Sequence, residues 1–242
     1  MQNKDRASRR HRLRGMELVF EDRDILVVEK PAGLLTMSPH RDQPETAEQI
    51  LTAYLRKGNA RSRLRAYVVH RLDRETSGLL VFAKNERVLQ TLQNNWRDTD
   101  KQYFAVVHGR LENKTGSIRS YLVEDTDQFV HVTKNAAVGK WAETEYAVLK
   151  ESPRYSALAV TLLTGRKNQI RVHFAHMGHP IVGDPKYGQK ERHGGRMALH
   201  AMHLSFDHPF SGRRMIFDSP VPEALLRLVG GHVDGLGTAV AP

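Results

Sequence analysis

Strand-like patterns outnumber helical ones along this chain, and the two kinds do not alternate regularly. Apolar and β-branched runs bounded by turn-forming residues are typical of strands. Because a doubly wound parallel sheet needs a helix after each strand, this order favours an α+β fold with a mixed, mostly antiparallel central sheet flanked by helices and loops. Strands are predicted over 18–20, 25–28, 67–69, 79–83, 104–107, 144–149, 158–163, 198–206 and 215–217.

Helices are indicated where capping residues precede apolar residues at helical spacing. Thr46 and Gln49 form a capping-box pattern before such a run, which Gly58 ends. Asn85 is expected to cap a second helix. Further helices are predicted over 168–177, with Ile170, Phe174 and Met177 facing inward, and over 223–229.

The composition predicts a soluble, intracellular protein, placed in the cytoplasm. The chain has 242 residues and no cysteine, which excludes disulfides and thiolate metal sites. No apolar run reaches the ~18 residues of a transmembrane helix. We expect a basic, disordered tail over 1–16, one folded domain over 17–229 and a second tail over 230–242. A monomer is expected because no large apolar stripe is left unexplained.

The formal net charge of +10, with a pI near 9.9, favours a polyanionic partner. Residues 1–16 carry six cations and one carboxylate, a net of +5, so half of the excess lies in the tail. A second basic concentration runs from Arg56 to Arg74, and Asp73 is its only acidic residue. RNA is the expected partner, and no membrane contact is predicted.

Asp73 lies between Arg71 and Arg74 in a loop that leads into the apolar run 79–83. Two neighbouring guanidinium groups favour the charged carboxylate, which suits a nucleophile or an ion-pair partner better than a proton donor. The alternative is a purely structural ion pair in a turn.

Two further segments carry chemically useful residues. Tyr103 opens a strand and points away from Phe104, although a strand tyrosine is usually a half-buried core residue. The segment 164–173 combines a glycine turn, a helix start and several cations, a pattern that allows phosphate binding but also fits a solvated helix.

Together these segments resemble the motifs of the RluA family of pseudouridine synthases. The resemblance rests on His70-Arg71-Leu72-Asp73 with Thr76-Ser77-Gly78-Leu79-Leu80, on Lys101-x-Tyr103, on Thr164-Gly165-Arg166-x-x-Gln169-Ile170-Arg171, on Lys30-Pro31-Ala32-Gly33-Leu34 and on Gly183-Asp184-x-x-Tyr187-Gly188. It covers about Glu17 to Val229 and departs at Asn168, where many relatives have histidine. It implies a pseudouridine synthase fold and a stand-alone catalytic domain without an N-terminal RNA-binding module.

The resemblance also implies the chemistry: specific uridines in ribosomal or transfer RNA are isomerised to pseudouridine, with no cofactor and no metal. Asp73 is then the catalytic carboxylate, Arg171 its ion-pair partner, and Tyr103 stacks on the uracil or transfers a proton. The side chains of these three residues are expected to meet. The residues implied in substrate binding are Lys30, His70, Arg71, Leu72, Arg166, Gln169 and Ile170, and Arg71 is expected to fill the space of a flipped nucleotide.

The residues also allow three other classes of function: a metal site, a glycosidase and a non-enzymatic RNA-binding module. The histidine runs 173–179 and 200–203 have metal-ligand spacing, but no adjacent acidic residue supplies a further ligand. A glycosidase would need a second carboxylate about 5–10 Å from Asp73, and the nearby Glu75 is expected to pair with Arg74. A non-enzymatic RNA-binding module would explain the charge but not a carboxylate within the basic region.

Overall fold

A computed structural model describes residues 12–38, 45–188 and 195–234. The chain forms two compact units. Of the described residues, those up to 96 together with 207–213 form the first unit, and those within 97–206 and 214–234 form the second.

The first unit is built on an antiparallel sheet of strands that read as apolar in the sequence. Its order is β1-β2-β3-β5, and β4 also pairs with β5. Every residue of β5 is buried, which explains why the run Leu79–Ala83 is continuously apolar rather than alternating. The strands are β1 Arg12–Leu13, β2 Met16–Glu21, β3 Ile25–Lys30, β4 Tyr67–Val68 and β5 Ser77–Ala83.

Both helices of the first unit begin at the predicted caps. Helix α1 spans Ala47–Arg56, and both hydrogen bonds of the capping box between Thr46 and Gln49 are present. Helix α2 spans Glu86–Asn94, and the side chain of Asn85 accepts a hydrogen bond from the Val88 N–H at 2.9 Å. These local predictions are confirmed.

The second unit has a larger antiparallel sheet in the order β11-β6-β10-β9-β7-β8, with β12 beside β11. Its strands are β6 Asp100–His108, β7 Thr115–Glu124, β8 Val130–Thr133, β9 Lys140–Glu151, β10 Tyr155–Leu162, β11 Leu199–Asp207 and β12 Arg214–Asp218. Helix α3 spans Gln169–His176, and helix α4, Glu223–Leu226, runs into a 3₁₀ turn at Arg227–Val229. The prediction of an α+β fold is confirmed.

Helix α3 covers one face of this sheet. Val160 pairs with both Tyr103 and Tyr146 across the strands, so all three share a face. The Tyr146 ring meets Phe174 of α3 edge-on, at 5.7 Å between centroids. Tyr103 therefore lies on the face that carries α3.

Strands β7 and β8 were not predicted. On the inward side of strand β7, Ser120 lies between Ile118 and the buried Leu122 and interrupts the apolar pattern. Its hydroxyl hydrogen-bonds to the ring of His173 instead of packing as an apolar residue. Gly116 is required in this strand because a Cβ there would lie 2.8 Å from the Tyr146 ring. The inward orientation predicted for Met177 is wrong, since its side chain is 38% exposed.

The end of the predicted N-terminal tail belongs to a hairpin. Leu13 pairs with Met16, and Arg14 and Gly15 both have positive φ, as in a tight hairpin turn. Met16 is fully buried. The rest of the predicted tail, residues 1–11, and residues 235–242 lie outside the described residues.

Val233 is buried although it belongs to the predicted C-terminal tail. In addition, the His232 carbonyl accepts a hydrogen bond from the Lys150 ammonium at 2.6 Å. The chain thus packs against the second unit beyond residue 229. No helix in the described part of the chain is long and apolar enough to cross a membrane.

Replacing Thr46 with Ala should lower the free energy of unfolding by about 1 kcal/mol, because the Gln49 N–H loses its side-chain acceptor. Thr46→Ser keeps the hydroxyl and should stay close to wild type. Chemical denaturation of the three proteins measures the difference, and equal losses in both variants would contradict the capping role.

Candidate active site

Asp73 lies in the loop that joins β4 to β5, where the sequence predicted a loop. Its side chain is half-buried, Leu72 before it is buried, and Arg71 is exposed. The Thr76 N–H donates to the Asp73 carbonyl at 3.1 Å and closes a turn over residues 73–76. The loop thus presents a carboxylate beside an exposed guanidinium group.

The buried ammonium group of Lys30 anchors this loop through hydrogen bonds to backbone carbonyls. Its side chain is fully buried, and its Nζ donates to the carbonyls of Pro31, Leu34 and Arg74 at 3.0, 2.7 and 3.1 Å. The Arg74 carbonyl also accepts from the Gly33 N–H at 2.8 Å. These contacts give Lys30 a positioning role, and direct substrate contact by Lys30 stays a prediction.

Thr36 fixes the residue before Asp73. Its buried hydroxyl donates to the Leu72 carbonyl at 2.9 Å and accepts from the Leu72 N–H at 3.2 Å. One side chain therefore satisfies both backbone groups of Leu72. The sequence offered no signal for this contact, because Thr36 is distant in the chain and belongs to no recognised pattern.

His70 is held within the first unit as well. Its ring stacks on Trp96 at 4.6 Å between centroids, and its Nε2 accepts from the Val81 N–H at 3.2 Å. Arg74 lies 3.7 Å from the Glu75 carboxylate, which agrees with the expected pair between these neighbours.

Arg171 and Asp184 form a buried ion pair in the second unit. Arg171 Nε and Nη2 each donate to one oxygen of the Asp184 carboxylate at 2.7 Å. Burial alone would raise the pKa of Asp184, but the guanidinium group and the N–H groups of Tyr187 and Lys186 hold the pKa below its usual value. Asp184 belongs to the motif Gly183-Asp184-x-x-Tyr187-Gly188, for which the resemblance implied no role, and this motif was the sequence signal that could have pointed to it.

Tyr187 lies under the same guanidinium group. The Arg171 Cζ is 5.1 Å from the centroid of the Tyr187 ring, within the range of a cation–π contact. The phenol accepts from the Val130 N–H at 3.0 Å and donates to Asn168 Oδ1 at 3.3 Å. Asn168 itself has φ 54° and immediately precedes α3.

Gln169 organises the turn before α3. Its Oε1 accepts from the Thr164 hydroxyl and the Arg166 N–H, and its Nε2 donates to the Glu143 carbonyl and the Thr144 hydroxyl, all at 2.8–2.9 Å. Ile170 is buried. The Arg166 guanidinium donates to the carbonyl of Trp141 at 2.8 Å and its side chain remains exposed.

The Lys101-x-Tyr103 motif lies on β6, and both side chains are almost fully buried. Burial lowers the pKa of the Lys101 ammonium to about 8. Asp73 belongs to the first unit, whereas Tyr103 and Arg171 belong to the second. The expected meeting of these three side chains stays a prediction, as do the substrate contacts assigned to the other motif residues.

The histidines of the runs 173–179 and 200–203 make separate local contacts. Burial lowers the pKa of His173 to about 4, and the ring lies between Ser120 and Thr144 at 3.0 and 2.9 Å. His200 contacts Ser219, and His203 pairs with Asp218. Among the described residues, the only cluster of three possible metal ligands is Asp22, Asp24 and His208.

Residues 24–176, more than half of the chain, match the family model of RNA pseudouridylate synthases. An uncharacterized RNA pseudouridine synthase of Bacillus subtilis is 36% identical over 220 residues, covering 88% of this chain and 72% of that protein. The ribosomal large subunit pseudouridine synthase D of Pseudomonas aeruginosa is 37% identical over 232 residues, with 88% and 71% covered.

A solved structure has a similar fold. Human RNA pseudouridylate synthase domain containing 1 superposes with a TM-score of 0.73 and 25% identity, covering 92% of this chain and 91% of that one. The chain therefore belongs to the RNA pseudouridylate synthase family and is an RNA pseudouridine synthase, an isomerase. The predicted resemblance to the RluA family is confirmed.

Replacing Asp184 with Asn should lower the free energy of unfolding by about 3 kcal/mol, because removing one partner of a buried ion pair is strongly destabilising. The folded-state pKa of Asp184 is depressed, so its contribution is complete above the unfolded pKa of about 4 and is lost as the pH falls through the folded-state value. The variant should therefore lose less stability than wild type on acidification.

Denaturant unfolding between pH 7 and pH 3 measures both effects. Glu223→Gln is the control, since the pair between Glu223 and Arg227 is exposed and should contribute less than about 1 kcal/mol. If the free energies of unfolding of wild type and Asp184→Asn changed in parallel with pH, the stabilising role of the Asp184 carboxylate would be refuted.

Proposed function

We propose that this chain converts uridine to pseudouridine in structured ribosomal RNA, with Asp73 as the catalytic carboxylate. The main support is the clamped geometry of the Asp73 loop, whose backbone is held by Lys30, Gly33 and Thr36. A fixed backbone places a reactive carboxylate reproducibly, which is what catalysis by positioning requires. A turn ion pair alone would not need this support.

The reaction breaks the bond between the ribose carbon and a ring nitrogen and forms a bond from the same ribose carbon to a ring carbon. The proton on that ring carbon is lost and the freed nitrogen gains one, so no oxidant, reductant or net water is consumed. An ionised Asp73 can attack the sugar, add to the ring or stabilise a cationic sugar while the base rotates. All three routes require the carboxylate and remain alternatives.

Arg171 is proposed to keep Asp73 charged and oriented. Its pair with Asp184 supports this role, because a guanidinium group that is already held by one carboxylate loses little freedom when it serves another. Tyr103 is proposed to contact the uracil, either by stacking or by proton transfer. The exposed Arg71 would occupy the space that the flipped nucleotide leaves.

Ribosomal RNA is the proposed substrate because relatives of 33–37% identity are named ribosomal large subunit pseudouridine synthase D. The net charge of +10 is consistent with a polyanionic substrate. Mapping pseudouridine across total RNA from cells with and without this gene tests the proposal. Loss of sites in transfer RNA alone would contradict the ribosomal assignment but not the chemistry.

Asp73→Asn should abolish pseudouridine formation while RNA binding is retained, because the amide keeps the shape but loses the negative charge. Glu75→Gln is the matched control, since Glu75 is a neighbouring carboxylate in the same turn and pairs only weakly with Arg74. Pseudouridine is quantified by chemical mapping of the RNA after incubation. Substantial turnover by Asp73→Asn would refute the proposed role.

Tyr103→Phe separates the two roles proposed for this side chain. If the ring stacks on uracil, the variant should keep kcat within about threefold, because the π-face is retained. If the hydroxyl transfers a proton, kcat should fall by roughly 10²–10⁴ with little change in RNA binding. Tyr103→Leu is the companion variant, and wild-type kcat and KM in both variants would exclude either role.

A further inference from the structure

A groove of about 720 Å³ lies on the first unit, between α1 and the segment 58–65. Its wall combines polar and apolar surface, and the side chains of two arginines contribute to it. The wall residues that matter here are Ser38, Glu48, Thr52, Arg56, Asn59 and Arg65. This groove is separate from the Asp73 loop and has no part in the chemistry proposed above.

The charge around the groove is strongly positive. Residues 56–72 contain six Lys or Arg side chains and no Asp or Glu. Arg61 and Arg63 are exposed on the segment 58–65. They lie next to lining residues in the chain but do not line the groove themselves, and no ion pair joins either to an acidic group in the described ranges. The acidic wall residue, Glu48, already pairs with Arg65 at 2.9 Å. An anionic ligand would therefore meet several cations and one carboxylate that is already paired.

The segment that forms the outer wall is held in place. Arg56 Nε donates to the Leu64 carbonyl at 3.0 Å, and the Ala66 N–H donates to the Thr52 hydroxyl at 3.1 Å. The Ser62 N–H donates to the Asn59 carbonyl at 3.0 Å. These bonds fix the wall before any ligand arrives, so binding would require little ordering of the chain.

The groove lies close to Asp73. Ser38, which lines the groove, is two residues from Thr36, whose hydroxyl is hydrogen-bonded to the backbone of Leu72. The Glu48 N–H also donates to the Thr36 carbonyl at 3.1 Å. With 3.8 Å between consecutive Cα atoms, the groove begins less than about 20 Å from Asp73. A strand whose target base is at Asp73 could reach it within a few nucleotides.

We propose that this groove binds the phosphates of the substrate RNA strand that flanks the target uridine. The identity of the bound strand rests on the proposed function. The location of its binding site rests on the positive charge around the groove and on the short distance from the groove to Asp73. Arg61 and Arg63 contact phosphates, and Arg56 and Arg65 form the basic wall. Such contacts strengthen binding without reading the sequence.

The double variant Arg61→Gln/Arg63→Gln tests the groove, with an unmodified transcript of large-subunit ribosomal RNA as the probe. Two lost phosphate contacts should make the plot of log binding constant against log KCl concentration shallower by about 1.4–1.8, and binding at 0.15 M salt should weaken roughly tenfold or more. KM should rise while kcat at saturating RNA is unchanged. Arg61→Lys/Arg63→Lys keeps the charges and should retain the wild-type slope.

The matched control is Arg23→Gln/Arg87→Gln, which removes the same charge from exposed positions of the same unit outside the groove. Its salt slope should stay within about 0.5 of wild type. An equal change of the salt slope in both double variants, or no change in either, would refute the proposal that the groove binds phosphates, even if pseudouridine still forms. A change confined to the groove pair in a protein that forms no pseudouridine would support the groove and refute the proposed function.

Discussion

The buried ammonium group of Lys30 is the contact on which the Asp73 loop depends. A charge removed from water is costly unless its hydrogen bonds are replaced, and here three carbonyls replace them. Two of these carbonyls come from the turn after β3, and the third comes from Arg74, next to Asp73. Since the ammonium is satisfied only when both segments are in place, the turn and the loop stabilise each other.

Arg171 and Gln169 play the same part in the second unit. The Arg171 guanidinium group is held by Asp184, and Gln169 bonds both the turn before α3 and strand β9. The family resemblance implies that Arg171 pairs with Asp73 and that Gln169 binds substrate, yet much of their hydrogen-bonding capacity is directed at other parts of the protein. Residues of a functional motif can thus act by fixing the geometry of the few groups that touch substrate.

The helix starts could be predicted because they depend on contacts between residues close in sequence. Thr46 and Asn85 cap their helices because each bonds to a backbone group three residues away. Strand β7 was missed because its inward side is completed by a polar bond to His173, which no periodicity displays. The pair between Arg171 and Asp184 could be expected only as a family motif, because sequence alone does not indicate which distant carboxylate a buried arginine meets.

An enzyme that acts on RNA with a carboxylate must attract phosphates while keeping them away from that carboxylate. In the first unit these tasks fall to different segments. The cations of residues 56–65 carry the attraction, whereas Asp73 lies in a separate turn anchored through Lys30 and Thr36. The field of exposed charges extends over about a Debye length, near 8 Å at physiological salt, so the cations of 56–65 attract phosphates mainly to their own segment, while the backbone contacts of Lys30 and Thr36 keep the Asp73 turn in place.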